Sequence, residues 1–85
     1  MTRTIDIRLF GAFRQFGSRP SLTVDVPQEA IVSELRAAVE RRLPGDNARA
    51  LLQASVFATD ERTLDESEPV PFDRDLSVLP PVCGG

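Results

Sequence analysis

Two segments in the first third of the chain alternate between apolar and polar residues. They cover residues 5–9 (IDIRL) and 22–26 (LTVDV), and a period of two is the pattern of a half-buried strand. Gly17 and Pro20 lie between them and supply turn chemistry, because glycine accepts a positive φ and proline cannot extend a ladder. The pattern predicts a β-hairpin whose connection is longer than a tight turn.

A helical repeat follows the second predicted strand. Between residues 29 and 43 the spacing of apolar residues changes to three and four, which predicts an amphipathic helix. The repeat consists of Val32, Leu35, Val39 and Leu43. Pro44 and Gly45 mark the end of this helix.

The remaining elements are shorter. Residues 48–52 predict a second helical turn, and residues 55–58 and 76–79 predict two further strands. The segment 59–72 is acidic and contains two prolines, so it is predicted to be a mobile loop. The order strand, strand, helix, strand, loop, strand predicts an α+β fold with one long helix packed across a sheet.

The composition excludes most kinds of catalytic chemistry. The 85 residues include no His, which rules out a Ser-His or Cys-His pair and any His-containing zinc site. One Cys rules out an internal disulfide, an iron–sulfur site and a CxxC pair. The acidic loop lacks the glycine placement of a calcium loop, so its carboxylates are predicted to be solvated rather than to bind a metal. The chain is predicted not to be an enzyme on its own.

Charge and hydropathy indicate which partners and which cellular compartment to expect. A net charge of −3, with arginines spread along the sequence, argues against a nucleic-acid partner. Residues 1–8 mix charged and apolar side chains and lack the apolar stretch of a signal peptide. No apolar run approaches the roughly 18 residues that a membrane span requires. Together with the lone cysteine, these features predict a cytoplasmic protein that does not engage a membrane.

The C-terminal segment is suited to entering a narrow site on another protein. Gly84 and Gly85 place no side chain around the terminal carboxylate, and Pro80 and Pro81 favour an extended stretch that projects from the last strand. A frayed terminus is the plainer interpretation of a Gly-Gly end. A compact domain whose last strand runs directly into this segment favours a chemical handle instead.

Three segments together resemble one protein family. Residues 79–85 (LPPVCGG) resemble the C-terminal segment of the MoaD/ThiS family of ubiquitin-like sulfur carriers, and most closely that of molybdopterin synthase small subunits. Residues 9–17 (LFGAFRQFG) resemble the family's exit from the first strand, and the predicted helix over residues 31–43 falls where the family's long helix lies. The resemblance implies a β-grasp domain over residues 1–79, with a mixed sheet of four to five strands, followed by a flexible tail over residues 80–85.

The resemblance also implies a reaction at the terminal carboxylate. An E1-like, ATP-dependent enzyme of the MoeB/ThiF type adenylates Gly85, and a sulfur donor such as a rhodanese or a cysteine desulfurase then displaces AMP to leave a thiocarboxylate. Gly84 supplies the slimness and flexibility that threading requires. The tail enters a large subunit of the MoaE type, where its sulfur builds the dithiolene of molybdopterin. The chain itself binds no cofactor, because ATP is used by the activating partner and the general acids and bases belong to partners.

Seven residues are predicted to contact a partner. They are Pro80, Pro81, Val82 and Cys83 in the tail, and Phe10, Phe13 and Arg14 near the end of the first strand. Aromatic residues are favoured in the cores of interfaces, although core packing explains at least one of the phenylalanines equally well. Arg14 has a planar fork that suits a carboxylate, and a solvated arginine is the plainer interpretation. The Cys83 thiol is close enough to the terminal acyl carbon to compete with the proper nucleophile, and a small tail residue with no neighbouring base to lower the pKa of its thiol is the plainer interpretation.

Other functions remain open at this point. The same thiocarboxylate chemistry serves thiamine, cysteine, thiolated tRNA or a secondary metabolite, although the proline pair and the chain length favour molybdopterin. A ubiquitin-like modifier conjugated to other proteins through Gly85 is a second possibility. All ten basic residues are arginines, so such a modifier could not form chains on its own lysines. A plain interaction module with an incidental tail is the third.

Overall fold

A computed structural model gives the fold of the chain and describes residues 1–11, 13, 21–43 and 45–81. It contains strands β1 (Thr2–Leu9), β2 (Ser21–Pro27), β3 (Val56–Ala58) and β4 (Leu76–Leu79), and helices α1 (Val32–Glu40) and α2 (Gly45–Gln53). Both helices have nine residues. Within the described ranges, no helix is long and apolar enough to cross a membrane.

The four strands form one mixed sheet in the order β2-β1-β4-β3. β1 and β2 are antiparallel, with Ile5 opposite Val24, which confirms the predicted hairpin. β4 lies parallel to β1 on its other side, where Leu9 is opposite Val78, and β3 pairs antiparallel to β4. The sheet is the four-stranded, mixed β-grasp arrangement implied by the resemblance.

The two faces of the sheet differ because successive side chains along a strand point to opposite sides. One face is covered by α1 and forms a core that includes Ile7, Leu35, Phe57 and Val78, each fully buried. The other face is exposed where it is formed by β1 and β2. Across β1 and β2 it carries two cross-strand pairs, in which the Thr4 hydroxyl donates to Asp25 at 2.6 Å and the Thr23 hydroxyl donates to Asp6 at 2.5 Å.

The helix α1 begins three residues later than the apolar repeat predicts. Its preceding residue, Ile31, has an extended backbone, and the Ile31 N–H donates to the Glu34 carboxylate at 3.0 Å. At the other end, the Leu43 N–H donates to the Glu40 carbonyl at 3.2 Å, so the chain tightens into a turn while Leu43 stays buried. The repeat over residues 29–43 therefore includes buried residues beyond both ends of the helix.

The second helix is longer than predicted. Sequence periodicity covers only residues 48–52, whereas α2 extends from Gly45 to Gln53. Its buried residues are Ala48 and Leu52, which are the apolar positions that the short prediction rests on. The added residues of α2 are polar or small and exposed, so hydropathy carries no signal for them.

The acidic segment between β3 and β4 is packed against the domain, which corrects the prediction of a mobile loop. Its carbonyls at Glu68 and Glu66 accept the N–H groups of Val32 and Ser33 at 2.9 and 3.0 Å. Those N–H groups lie in the first turn of α1, where a helix has no partners of its own. The same segment buries Leu64 and Val70 in the core. It therefore serves as the N-terminal cap of α1 and not as a free loop.

Candidate functional site

The C-terminal segment begins at the end of a central strand. β4 ends at Leu79, Pro80 is half-buried and Pro81 is exposed. Because proline has no N–H, it cannot continue the ladder with β1. The predicted tail residues Val82, Cys83, Gly84 and Gly85 lie outside the described residues. The structure thus places the start of the tail beside the exit of β1.

Three apolar side chains line the end of the face opposite the core, where the tail begins. Val56 on β3 lies opposite Leu79 on β4, and Phe10 follows Leu9, whose partner on β4 is Val78. Alternation places all three on the face opposite the core, since their neighbours Leu9, Phe57 and Val78 are buried. Phe10 and Val56 are each 43% exposed, and Leu79 is half-buried. We call Phe10, Leu79 and Val56 the apolar row.

The apolar row has the composition of the centre of a protein interface. Aromatic and aliphatic side chains are favoured there, whereas charged groups are favoured at the rim. A charged pair borders the row, with Arg8 and Asp75 joined at 3.5 Å and both side chains more than half exposed. An ion pair this exposed adds little stability. The end of the sheet therefore presents an apolar strip with a polar border directly beside the tail.

The three residues near the end of β1 that were predicted to contact a partner do not share one environment. Phe10 is exposed and belongs to the apolar row. Phe13 is fully buried in the core, which corrects its assignment to a docking surface. The reason is a tight turn after β1, in which the Phe13 N–H donates to the Phe10 carbonyl at 3.2 Å and brings the Phe13 ring inward. Arg14 lies outside the described residues.

Sequence reasoning missed two members of the apolar row. Val56 and Leu79 were each predicted to lie on a strand, but neither was assigned a functional position. Their exposure follows from alternation, because each lies next to a buried neighbour on its own strand. Their contact requires the pairing of β3 with β4, which connects segments about twenty residues apart. The alternation was visible in the sequence, and the register was not.

The opposite side of the molecule is organised around Arg36. Its guanidinium donates to both carboxylate oxygens of Glu66, at 2.9 and 2.7 Å, and to the carbonyl of Leu52 at 2.5 Å. It also lies over the ring of Phe57, 5.1 Å from the centroid, and its side chain is only 12% exposed. Hydrogen bonding from Arg36 lowers the pKa of the Glu66 carboxyl. One side chain thereby joins α1, α2 and the acidic segment.

A second arginine, Arg62, binds a carboxylate of the same segment through two hydrogen bonds. Arg62 donates to the two oxygens of Glu68 at 2.8 and 2.5 Å, and the Asp65 N–H donates to Glu68 at 3.0 Å. These hydrogen bonds, led by that of Arg62, lower the pKa of Glu68 to about 2. Arg74 pairs with Glu61 nearby. Three of the carboxylates predicted to be solvated are therefore paired with arginines.

Comparisons with known proteins agree with this architecture. The profile of the ThiS family matches residues 7–85. The crystal structure of SAMP1 from Haloferax volcanii has a TM-score of 0.68 at 22% identity, covering 98% of this chain and all of that one. The solution structure of the Haloferax volcanii HVO 2177 protein has a TM-score of 0.73 at 21% identity, and the match covers 99% of this chain and 88% of that one. No curated protein matches the chain.

Proposed function

The chain belongs to the ThiS family of ubiquitin-like sulfur carriers, and on that premise we propose that it carries sulfur as a thiocarboxylate on Gly85 and donates it to the dithiolene of molybdopterin. The observation that carries the proposal is the reach of the family match, which extends to residue 85 and so includes the terminal Gly84 and Gly85. The apolar row beside the start of the tail supports it, because a carrier needs a surface on which its partners recognise it.

The proposed reaction begins with a poor acyl donor. The Gly85 carboxylate attacks the α-phosphorus of ATP, pyrophosphate leaves, and the terminus becomes an acyl adenylate. A persulfide sulfur then attacks the carbonyl carbon, and AMP leaves with the bonding electron pair. A thiol reductant supplies the two electrons that cleave the resulting acyl disulfide and leave the thiocarboxylate. Each step takes place on a partner enzyme, and this chain is the substrate.

Carriers of this type generally work with E1-like enzymes. We assign the activating step to an E1-like enzyme of the MoeB/ThiF type, the sulfur to a rhodanese or a cysteine desulfurase, and the acceptor site to a large subunit of the MoaE type. In this assignment the apolar row is the recognition surface and the Gly85 carboxylate is the reacting group. Gly84 keeps the approach to that carboxylate narrow, since glycine has no side chain.

Intact-mass measurement tests the chemistry. The chain is incubated with an E1-like enzyme, ATP, a persulfide donor and a thiol reductant, with an ATP-free reaction as the control. The proposal predicts that one oxygen is replaced by one sulfur at Gly85, and only when ATP is present. Attachment of the chain to lysines of other proteins without a sulfur-bearing terminus would indicate a modifier. An unchanged mass would indicate a passive interaction module.

A second measurement tests the destination of the sulfur. The thiocarboxylated chain is mixed with a MoaE-type large subunit and the pterin precursor of molybdopterin. We expect the chain to return to its original mass while a dithiolene forms. If the chain is converted to thiocarboxylate but transfers no sulfur here, the carrier chemistry stands and the molybdopterin assignment fails. Thiamine, cysteine, tRNA and secondary-metabolite acceptors are then tested in the same way.

A further inference from the structure

The backbone at the exit of β1 adopts a conformation that favours glycine. Gly11 has a φ of +58°, in the left-handed region that side chains disfavour. A Cβ atom built on Gly11 would lie 2.9 Å from Cγ of Pro80 and 3.7 Å from its Cδ. The shorter of these distances is well inside the ordinary contact distance between carbon atoms. The side chain that Gly11 lacks would therefore occupy space taken by the ring of Pro80.

This contact follows from the pairing of β1 with β4. The strands run parallel with Leu9 opposite Val78, so two residues further along each strand Gly11 meets Pro80. The chain then turns away from β4, and the buried Phe13 fixes the turn from the core side. Pro80 is half-buried against this turn, and Pro81, the next residue, is exposed. The ring of Pro80, the first residue of the tail, thus lies against a glycine.

We propose that Gly11 is a positioning residue for the C-terminal tail: its missing side chain provides the seat for the Pro80 ring and thereby sets the direction in which the backbone leaves the sheet at Pro81. Proline restricts this direction further, because its ring fixes φ near −65°. The seat and the proline ring together leave few free torsions between β4 and Pro81. The consequence for sulfur loading rests on the proposed function, whereas the direction of the tail does not.

The chain contains a matched control for backbone strain. Gly45 also has a positive φ, +83°, but no atom of the residues that the structure describes lies within 4 Å of a Cβ built there. Replacement of either glycine by alanine introduces strain at a positive φ. Only Gly11→Ala also displaces Pro80. A difference between Gly11→Ala and Gly45→Ala therefore reports the Pro80 contact and not the loss of a glycine.

The first test measures the direction of the tail without any sulfur chemistry. A nitroxide is attached to Cys83, which is the only cysteine in the sequence, and broadening of the backbone amide signals is recorded by NMR. We expect Gly11→Ala to redistribute the broadening around Phe10 and Val56, and Gly45→Ala to reproduce the wild-type pattern. The same pattern in all three proteins would overturn the proposal.

A second variant keeps the test decisive if Gly11→Ala does not fold. Pro80→Ala removes the ring from the same contact while leaving Gly11 intact, and Pro80 is not among the buried core residues. We expect Pro80→Ala to redistribute the broadening as well. If Gly11→Ala folds, the double variant should resemble Pro80→Ala alone, because the two substitutions act through one contact. Additive changes, or a wild-type pattern for Pro80→Ala, would contradict the proposal.

The kinetics of adenylation by the activating enzyme then test whether the direction of the tail affects function. Because Gly11→Ala changes no side chain of the apolar row, we expect KM for the chain to stay near the wild-type value while kcat for adenylation falls by about tenfold or more, as misplaced reacting groups do. Gly45→Ala should keep both constants. Equal kcat for Gly11→Ala and wild type would refute the positioning role. A wild-type chain that is never adenylated would refute the proposed function instead, and the nitroxide result would still decide the direction of the tail.

Discussion

The acidic segment at the N-terminus of α1 is stabilised by paired charged groups, whereas the end of the sheet where the tail begins has partly exposed apolar side chains. Around the acidic segment, Arg36 and Arg62 each bind a carboxylate through two hydrogen bonds, and backbone carbonyls cap the helix. At the end of the sheet, Phe10 and Val56 remain 43% exposed. The difference shows that charged residues can form a stabilising region, while apolar residues at the end of the sheet stay partly exposed.

This contrast reverses the emphasis that composition alone suggests. The run of carboxylates over residues 60–68 is the most conspicuous chemical feature of the sequence after the Gly-Gly end. In the fold its main effect is to attach a long connection to α1 and α2. The apolar row is inconspicuous in the sequence, because its three members come from three separate segments: the residue after β1, and strands β3 and β4. Assembly of the sheet brings these residues together beside the tail.

The largest expected effect is that of removing Gly85. Deletion of Gly85 moves the terminal carboxylate to Gly84, one residue closer to the domain, where it should no longer reach the activating site, so ATP-dependent sulfur loading should fall to background in the intact-mass measurement. The core lies between Ile5 and Val78, so the free energy of unfolding should stay within about 0.5 kcal/mol of wild type, as for surface substitutions. Normal loading of the shortened chain would remove the basis for assigning function to the tail.

The next effect concerns the stabilising region. Arg36→Met should reduce the free energy of unfolding by about 2–3 kcal/mol, because it removes charge-assisted hydrogen bonds and leaves the Leu52 carbonyl and Glu66 without their partner. Arg62→Met is the matched control. Its two hydrogen bonds to a carboxylate are similar, but its side chain is 60% exposed, so a much smaller loss than that of Arg36→Met is expected.

Urea denaturation measures both variants, and intact mass measures their sulfur loading under native conditions. We expect folded Arg36→Met to accept sulfur as wild type does, because Arg36 lies on the helix side of the sheet. Equal losses of stability in the two variants would show that burial does not distinguish the two arginines. Loss of loading by a folded Arg36→Met protein would extend the functional region to the helix side.

A smaller effect is expected at the apolar row. Val56→Asp places a charge in the apolar row and should weaken binding to the activating enzyme by about tenfold to thirtyfold, which corresponds to about 1.4–2 kcal/mol. Thr2→Asp is the control, since Thr2 is also an exposed strand residue but lies at the opposite end of β1. Isothermal titration calorimetry measures the two affinities. Equal weakening would indicate long-range charge repulsion rather than a contact at the row.

The smallest effect is the pH dependence of the carboxylate pairs. The pKa of Glu68 is lowered to about 2, and that of Glu66 is also lowered, from the ordinary value of 4.5. A lowered pKa in the folded state stabilises the fold above the unfolded value, and this stabilisation is lost as the pH falls from about 4.5 towards 2. Urea midpoints for wild type and Glu68→Gln should therefore differ more at pH 7 than at pH 3. A constant difference would exclude a contribution from Glu68 ionisation.

The fold was largely predictable, and the reasons for its exceptions are local. Alternation located β1 and β2, and the spacing of Val32, Leu35 and Val39 located α1, because these patterns depend on neighbouring residues. The late start of α1 was not predictable, since its cap consists of carbonyls more than thirty residues away. The packed acidic segment was missed for the same reason. Its carboxylates predict a solvent-exposed loop unless the arginines that pair with them are known.

The candidate site was likewise predictable where residue types and neighbouring residues give the signal, and not where it depends on long-range pairing. Phe10 and the two prolines were identified from residue types and from the resemblance, and Phe10 does lie on the exposed face. Phe13 was misassigned because the turn after β1 reverses its direction, and an aromatic residue in a loop carries no sign of that. Val56 required the register of β3 on β4. The contact of Gly11 with Pro80 required the parallel pairing of the first and last strands.

The most direct test of the contrast between the two regions is an NMR titration of the isotope-labelled chain with its activating enzyme and ATP. The account predicts that the amide signals of Phe10, Val56 and Leu79 shift or broaden at substoichiometric enzyme, while those of Arg36 and Glu66 keep their positions. Perturbation centred on Arg36 and Glu66, with the apolar row unchanged, would contradict it.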